Sequence, residues 1–203
     1  MDLFSSSAFQ QEQHINLPNA EISYFPSFLS TQEADQYFQI FQNETAWKQD
    51  DIKIFGKIYK QPRLTALYGE KGKSYSYSNI TMNPTPFTAS LLEIKRRIKE
   101  ICDTSFNVVL LNMYRNGSDS NGWHSDDEKE LGRNPVIASV SLGAKRMFQL
   151  RNKGDKISKY NIELTHGSLL LMKGETQHFW QHQVPKTKKE VQPRINLTFR
   201  VIH

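Results

Sequence analysis

Asn112-Met113-Tyr114-Arg115-Asn116-Gly117-Ser118-Asp119-Ser120-Asn121-Gly122-Trp123-His124-Ser125-Asp126-Asp127-Glu128 is the stretch on which the fold turns. In an extended chain residues i and i+2 point to the same face. Asn112 and Tyr114 therefore share one direction, and His124 and Asp126 another. An imidazole and a carboxylate aimed at one point are two thirds of a two-His-one-carboxylate triad, a site type that leaves positions open on Fe(II). A lone H-x-D arises by chance in many chains, so the remainder of the sequence has to supply the third ligand. Asn116-Gly117 and Asn121-Gly122 are turn signals.

Toward the C-terminus, apolar residues gather into short runs separated by turns. Val108 to Tyr114, Ala138 to Leu142, Met147 to Arg151, Ile162 to Leu164 and Ser168 to Met172 read as strands. Asn152-Lys153-Gly154-Asp155 reads as a hairpin loop between two of them. In the last run Asn196, Thr198 and Arg200 fall on one face, and Leu197, Phe199 and Val201 on the other. Toward the N-terminus the period changes. Ser30 stands three residues before Glu33, a capping-box spacing. Ala34, Tyr37, Phe38 and Phe41 follow the i, i+3, i+4, i+7 pattern, which predicts a helix to about Asn43. A second helix is predicted from Ala89 to Ile101, with Glu93 four residues before Arg97. Ile22 to Leu29 is a strand or a buried extended segment. Helices followed by many short strands give an α+β class, mainly β: a jelly roll braced by N-terminal helices.

The 203 residues suit one domain. Residues 1–20 are polar and are expected to form a flexible arm ahead of a domain over 21–203. With 37% hydrophobic and 23% charged residues the chain is globular rather than disordered. A net charge of +5 favours polyanionic partners. The single cysteine, Cys102, leaves no internal disulfide framework and fits a reducing compartment. No apolar run is long enough to span a membrane, and Met1 to Phe9 lacks the basic start and apolar core of a signal peptide. The expectation is an intracellular monomer, cytoplasmic if the source is prokaryotic and nuclear if it is eukaryotic.

Candidates for the third ligand are His166, His178, His182 and His203. His166-Gly167-Ser168 is a turn before a strand and reads as structural. His178 and His182 would share one face of a strand, so spacing alone does not choose between them. Arg194 and Arg200 have the same parity on the last strand. At ~3.3 Å per residue their Cα atoms lie about 20 Å apart, so they would converge on one small diacid and its metal from either side. Two solvated arginines on an exposed strand are the alternative. Trp47 to Tyr77 carries Lys53, Lys57, Lys60 and Arg63 among Ile54, Phe55, Tyr59, Tyr68, Tyr75 and Tyr77. Cations neutralise phosphates and aromatic faces stack on bases; an ordinary hairpin with solvated lysines fits the same residues.

Asn112-x-Tyr114, His124-x-Asp126, His182 and Pro193-Arg194-Ile195-Asn196-Leu197-Thr198-Phe199-Arg200 together resemble the AlkB family of alkylation-repair dioxygenases, which use Fe(II) and 2-oxoglutarate. The resemblance runs from about Phe25 to Val201. It is closest to the branch containing the human nuclear DNA-repair homologues, which Ile137-Ala138-Ser139-Val140-Ser141-Leu142-Gly143-Ala144 and His166-Gly167-Ser168-Leu169-Leu170 also resemble.

The resemblance implies a double-stranded β-helix with His124, Asp126 and His182 as iron ligands. In the family the second histidine stands twelve residues ahead of the first arginine of the closing motif, which selects His182 over His178. Arg194 would pair with the distal carboxylate of 2-oxoglutarate, with Asn112, Tyr114, Asn196, Thr198 and Arg200 completing that pocket. A nucleotide-recognition lid is implied at about 47–80. Phe55 in Ile54-Phe55-Gly56-Lys57 matches an aromatic finger of the duplex-specialised relatives. Arg63, Tyr75, Ser76, Tyr77 and Ser78 match the base-recognition lid, and Asp127 and Glu128 match acidic residues at the target nucleotide. The implied reaction is oxidative demethylation of N-alkylated bases such as 1-methyladenine and 3-methylcytosine, with 2-oxoglutarate converted to succinate and formaldehyde released. The implied partner is DNA, single- or double-stranded, and possible alternatives are RNA, a protein side chain, or a non-catalytic jelly roll that binds nucleic acid. Tyr77 and Ser125 depart from the commonest family residues, and the linker after Gly132 is short.

Overall fold

The computed structural model describes residues 12–203 apart from 55, 74, 78, 79 and 156, and at 53, 54, 75–77 and 80–82 the backbone alone. Strands are numbered along the chain. One sheet has seven, in the order β1 (Gln13–Ile15), β2 (Glu21–Phe25), β13 (Ser168–Lys173), β10 (Ile137–Gly143), β15 (Arg194–Arg200), β8 (Val108–Tyr114) and β5 (Leu64–Gly69). The other has four: β12 (Lys159–Leu164), β11 (Arg146–Asn152), β14 (Trp180–Val184) and β9 (Asn121–His124). All these pairings are antiparallel. Two hairpins stand apart: β3 (Asp51–Ile54) with β4 (Lys57–Lys60), and β6 (Tyr75–Tyr77) with β7 (Ile80–Met82). Helices α1 (Thr31–Glu44) and α2 (Ala89–Cys102) brace the larger sheet, and a short α3 (Thr176–Phe179) leads into β14. This is the jelly roll that the strand pattern predicted.

The period of two divides the larger sheet into two chemistries. Val109, Leu111 and Met113 of β8 pack with Ala138, Val140 and Leu142 of β10 and Ile195, Leu197 and Phe199 of β15. The same cluster takes in Phe41 from α1 and Leu91, Ile94 and Ile98 from α2. The alternate residues face the four-stranded sheet. There Leu110, Tyr114, Phe148, Leu150 and Trp180 form a second apolar cluster. Asn112, Ser139, Ser141, Arg194, Asn196, Thr198 and Arg200 are also buried on this side. Every residue of β15 is buried, so its alternation is not that of a solvated strand. A strand covered on both faces that still alternates polar with apolar has its polar face in a site.

The helix starts follow the sequence closely. At the N-cap of α1, Glu33 N donates to Ser30 Oγ and Ser30 N donates to Glu33 Oε2, completing the predicted capping box. Arg97 of α2 donates to Glu33 Oε1 at 2.8 Å and to the Phe28 carbonyl at 3.0 Å, which joins the two helices.

Three expectations need correction. The N-terminal arm does not extend to residue 20: from Gln13 the chain is strand β1, registered against β2, with Ile15 buried. Trp180 Nε1 also donates to Pro18 O at 2.9 Å, fixing this segment over the smaller sheet. Asn121-Gly122 lies within β9 rather than in a turn, because His124 and Asn121 register against His182 and Val184 across a bulge. His178 sits in α3, where its Nε2 meets Asn134 Oδ1 at 2.8 Å.

Candidate metal and cosubstrate site

The two sheets enclose a cavity. Leu110, Asn112, Tyr114, Ser139, Met172, Arg194, Asn196, Thr198 and Arg200 line it from the larger sheet, and Asn121, His124, Phe148, His182 and Val184 from the smaller. His124 and His182 are register partners on β9 and β14, so the antiparallel ladder itself places the two imidazoles together. Their rings meet edge-on with centroids 4.2 Å apart, and Phe148 stacks on His182 at 5.1 Å. Asp126 lies two residues beyond His124. The ligand atoms of His124, Asp126 and His182 all fall within 4.8 Å of one another. Small side-chain rotations would bring them onto one ion at about 2.1 Å. His178 and His166 are elsewhere: His166 Nδ1 accepts from Gly143 N and its Nε2 faces Asp35.

The protonation of the triad suits a cation. Burial would raise the Asp126 carboxyl, but the Arg200 guanidinium, with Nη2 2.7 Å from Oδ1, overrides it and holds the group at about 2. Burial, followed by the neighbouring His124, pushes His182 down to about 3 against the pull of Asp126. Burial likewise lowers His124. His124 Nδ1 sits 2.8 Å from the Gly122 carbonyl, which can only accept, so Nδ1 carries the proton and Nε2 the lone pair. The apo site therefore holds two neutral imidazoles and one carboxylate, the ionisation a divalent metal requires. Loading apo protein with Zn(II) at pH 7 is expected to release no proton from these three groups. Calorimetry in two buffers of different ionisation enthalpy should return the same heat apart from any proton released by metal-bound water, which a second titration at pH 6 suppresses; a one-proton difference that persists there would show that a histidine is charged beforehand.

At the other end of the cavity Arg194 is 1% exposed. Its Nη2 donates to Ser141 Oγ at 2.9 Å, and its guanidinium lies 5.3 Å from the Tyr114 ring centre. Nε and Nη1 are buried with no hydrogen-bond partner among the described residues. Burial lowers this guanidinium to about 10, with Tyr114 opposing the fall. A buried cation with open donors on its planar fork is a receptor for a carboxylate. Asn196 and Thr198 stand between the two ends: Thr198 Oγ1 donates to Asn196 Oδ1, and Asn196 Nδ2 donates to Ser139 Oγ and the Val140 carbonyl.

The expected substrate residues fare unevenly. Arg63 is buried in the cavity wall, where its Nε donates to Asn112 Oδ1 at 2.8 Å. Gly56, at φ +80°, and exposed Lys57 belong to the β3–β4 hairpin. Phe55 and Ser78 lie outside the described residues, and for Tyr75, Ser76 and Tyr77 only the backbone of β6 is described. Asp127 accepts from Lys153 Nζ at 2.8 Å near the surface, and Glu128 precedes the 3₁₀ turn Lys129–Leu131. Sequence reasoning gave no role to Ser139, Ser141, Phe148 or Gln177. The i, i+2 spacing of Ser139 and Ser141 within an apolar run was a usable signal; Phe148 and Gln177 offer none until the chain folds.

A jelly roll with this triad at one end of its cavity and a buried arginine at the other has the features of a 2-oxoglutarate-dependent iron oxygenase. The sequence profile of the 2OG-Fe(II) oxygenase superfamily matches residues 21–200. The chain is 47% identical over 192 residues to the Bos taurus protein "Alpha-ketoglutarate-dependent dioxygenase alkB homolog 3", covering 88% of this chain and 65% of that one. It is 44% identical to the Homo sapiens protein of that name over 193 residues, with coverage of 91% and 67%. The Homo sapiens protein "DNA oxidative demethylase ALKBH2" is 37% identical over 206 residues, with coverage of 97% and 78%. The chain thus spans about two thirds of the length of the first of these relatives. The solved structure of OsALKBH1 superposes with a TM-score of 0.69 at 17% identity, covering 94% of this chain and 99% of that one, which attests to the fold. The chain belongs to the AlkB family of the 2OG-Fe(II) oxygenase superfamily.

Proposed function

We propose that the protein is an oxidative demethylase of N-alkylated bases in DNA, acting on lesions such as 1-methyladenine and 3-methylcytosine. The observation that carries this reading is the pairing of a cation-ready triad with an anion-ready arginine across one cavity. His124, Asp126 and His182 would hold Fe(II), which with 2-oxoglutarate and O2 would supply the oxidation of an N-methyl group as 2-oxoglutarate becomes succinate and CO2. Arg194, whose fork Ser141 fixes and whose guanidinium lies over Tyr114, would hold the distal carboxylate of the cosubstrate. Arg200 donates to Asp126 Oδ1 and would orient that carboxylate for a metal. Leu110, Phe148, Met172 and Val184 keep that end of the cavity dry. The hydroxylated methyl group then leaves as formaldehyde and frees the base.

The surface and the relatives favour DNA as the substrate polymer. On β4, Lys57, Ile58, Tyr59 and Lys60 are all exposed, Ile58 at 70% and Tyr59 at 49%. A projecting hairpin that mixes cations with bare apolar and aromatic faces suits phosphates and unstacked bases. A paired base cannot reach a cavity between two sheets, so the substrate is single-stranded or flipped. One relative's name is that of a DNA demethylase.

The test is a DNA oligonucleotide carrying one 1-methyladenine, incubated with the Fe(II)-loaded protein, 2-oxoglutarate and air. Loss of one methyl mass with matching succinate and formaldehyde is expected. The same lesion in RNA, added in competition, is expected to react more slowly. Succinate without demethylation on either polymer would overturn the substrate assignment, and absence of both products would overturn the enzyme.

A further inference from the structure

The β9–β14 ladder that pairs His124 with His182 ends at His124. Asp126 therefore hangs on a segment that no strand pairing holds, yet its oxygen has to meet the same point as two imidazoles fixed by the ladder. Side chains take over where the ladder stops. Ser125 Oγ donates to the Trp180 carbonyl at 3.0 Å. Asp126 N donates to Gln177 Oε1 at 2.9 Å. Lys153 Nζ bridges Asp127 Oδ2 and the Gln177 carbonyl, each at 2.8 Å. Lys153 is itself anchored, because its backbone N donates to the Phe179 carbonyl at 2.8 Å.

Gln177 is the centre of this lacing. It is 1% exposed, and its amide oxygen accepts the Asp126 backbone N–H. Among the described residues its Nε2 reaches Met172 Sδ alone, at 3.5 Å, a weak acceptor. Burying a primary amide is costly unless it is hydrogen-bonded, and here the one good hydrogen bond is to the Asp126 N–H. Gln177 also sits on α3, the element that leads directly into the strand carrying His182. One side chain thus ties the backbone of one ligand to the segment that sets the other.

We propose that Gln177 is a positioning residue of the metal centre: it holds the Asp126 backbone at the distance from His182 that one ion requires. The role is independent of the substrate and needs only that the triad bind a metal. Outer partners of metal ligands typically contribute 10- to 100-fold in affinity.

The experiment titrates Co(II) into apo wild type, Gln177→Leu, Gln177→Asn and Gln177→Glu, reading the visible spectrum, and follows exchange of the Asp126 amide by NMR. Leu lacks the acceptor, Asn falls one methylene short, and Glu keeps an oxygen in place. Leu and Asn are expected to weaken Co(II) about 10- to 100-fold, shift its visible bands and expose the Asp126 amide to exchange, with Glu restoring protection. Should Gln177→Leu fail to fold, the Asn and Glu pair still separates reach from polarity. Equal Co(II) affinity and spectrum in Asn and wild type would overturn the proposal alone. A wild type that takes up no Co(II) would overturn the metal-centre reading, and this one with it.

Discussion

Asp126→Ala is expected to abolish succinate formation and, separately, to destabilise the metal-free protein. The first effect follows from losing the one anionic ligand of a three-residue site. The second follows from Arg200, which is 4% exposed and donates to Asp126 Oδ1 at 2.7 Å. Removing one partner of a buried ion pair leaves the other charge less compensated, at a cost of up to about 3–5 kcal/mol. The double variant Asp126→Leu with Arg200→Met should recover most of that stability, since apolar groups of similar volume replace a buried pair at little net cost. It should recover no activity. Urea unfolding of the metal-free proteins reads the stability, and succinate formation reads the activity. A single variant as stable as wild type would show that Arg200 does not depend on Asp126, and would remove the claim that it orients the ligand.

This coupling explains why part of the site could be read from the sequence and part could not. Arg194 and Arg200 announce themselves through parity, recurring at an even spacing in a strand whose alternate residues are apolar; His124 and Asp126 do so only through their i, i+2 spacing, since Asp126 lies beyond β9. β8 and β15 were legible for the same reason, and α1 through its cap. Parity says which face a residue takes, however, and not what lies opposite. Choosing His182 over His178 needed either the ladder register to His124 or a likeness to known proteins. Asn121-Gly122 reads as a turn because Asn-Gly is a strong local signal, and tertiary pairing with β14 overrides it. The strand from Gln13 was missed because three residues carry no periodicity of their own. Arg63 illustrates the remaining gap. In the sequence it is one cation among several in a basic, aromatic segment; folding buries it against Asn112, inside the cavity rather than on a surface lid.

Arg194→Met should separate stability from function in the opposite direction. Arg194 is fully enclosed, burial depresses its guanidinium to about 10, and Nε and Nη1 have no hydrogen-bond partner among the described residues. Such a residue is a burden on the apo fold, so methionine, close in length and uncharged, is expected to leave the thermal midpoint unchanged or higher. The cosubstrate would lose its charge-assisted partner. Truncating one member of a buried, hydrogen-bonded charge pair costs roughly 2–5 kcal/mol, which corresponds to a fall of about 30- to 5,000-fold in kcat/KM for 2-oxoglutarate. Most of it should appear in KM, because the distal carboxylate lies away from the reacting atoms and binds alike before and during reaction. Arg194→Lys should not rescue, since a single ammonium cannot reproduce the fork. Retained KM with a lowered melting point would make Arg194 a structural residue, held by Tyr114 and Ser141 for the fold's sake. A stable protein that no longer takes up 2-oxoglutarate would instead mean that this cation is buried, against its own solvation, to receive an anion the apo fold does not contain.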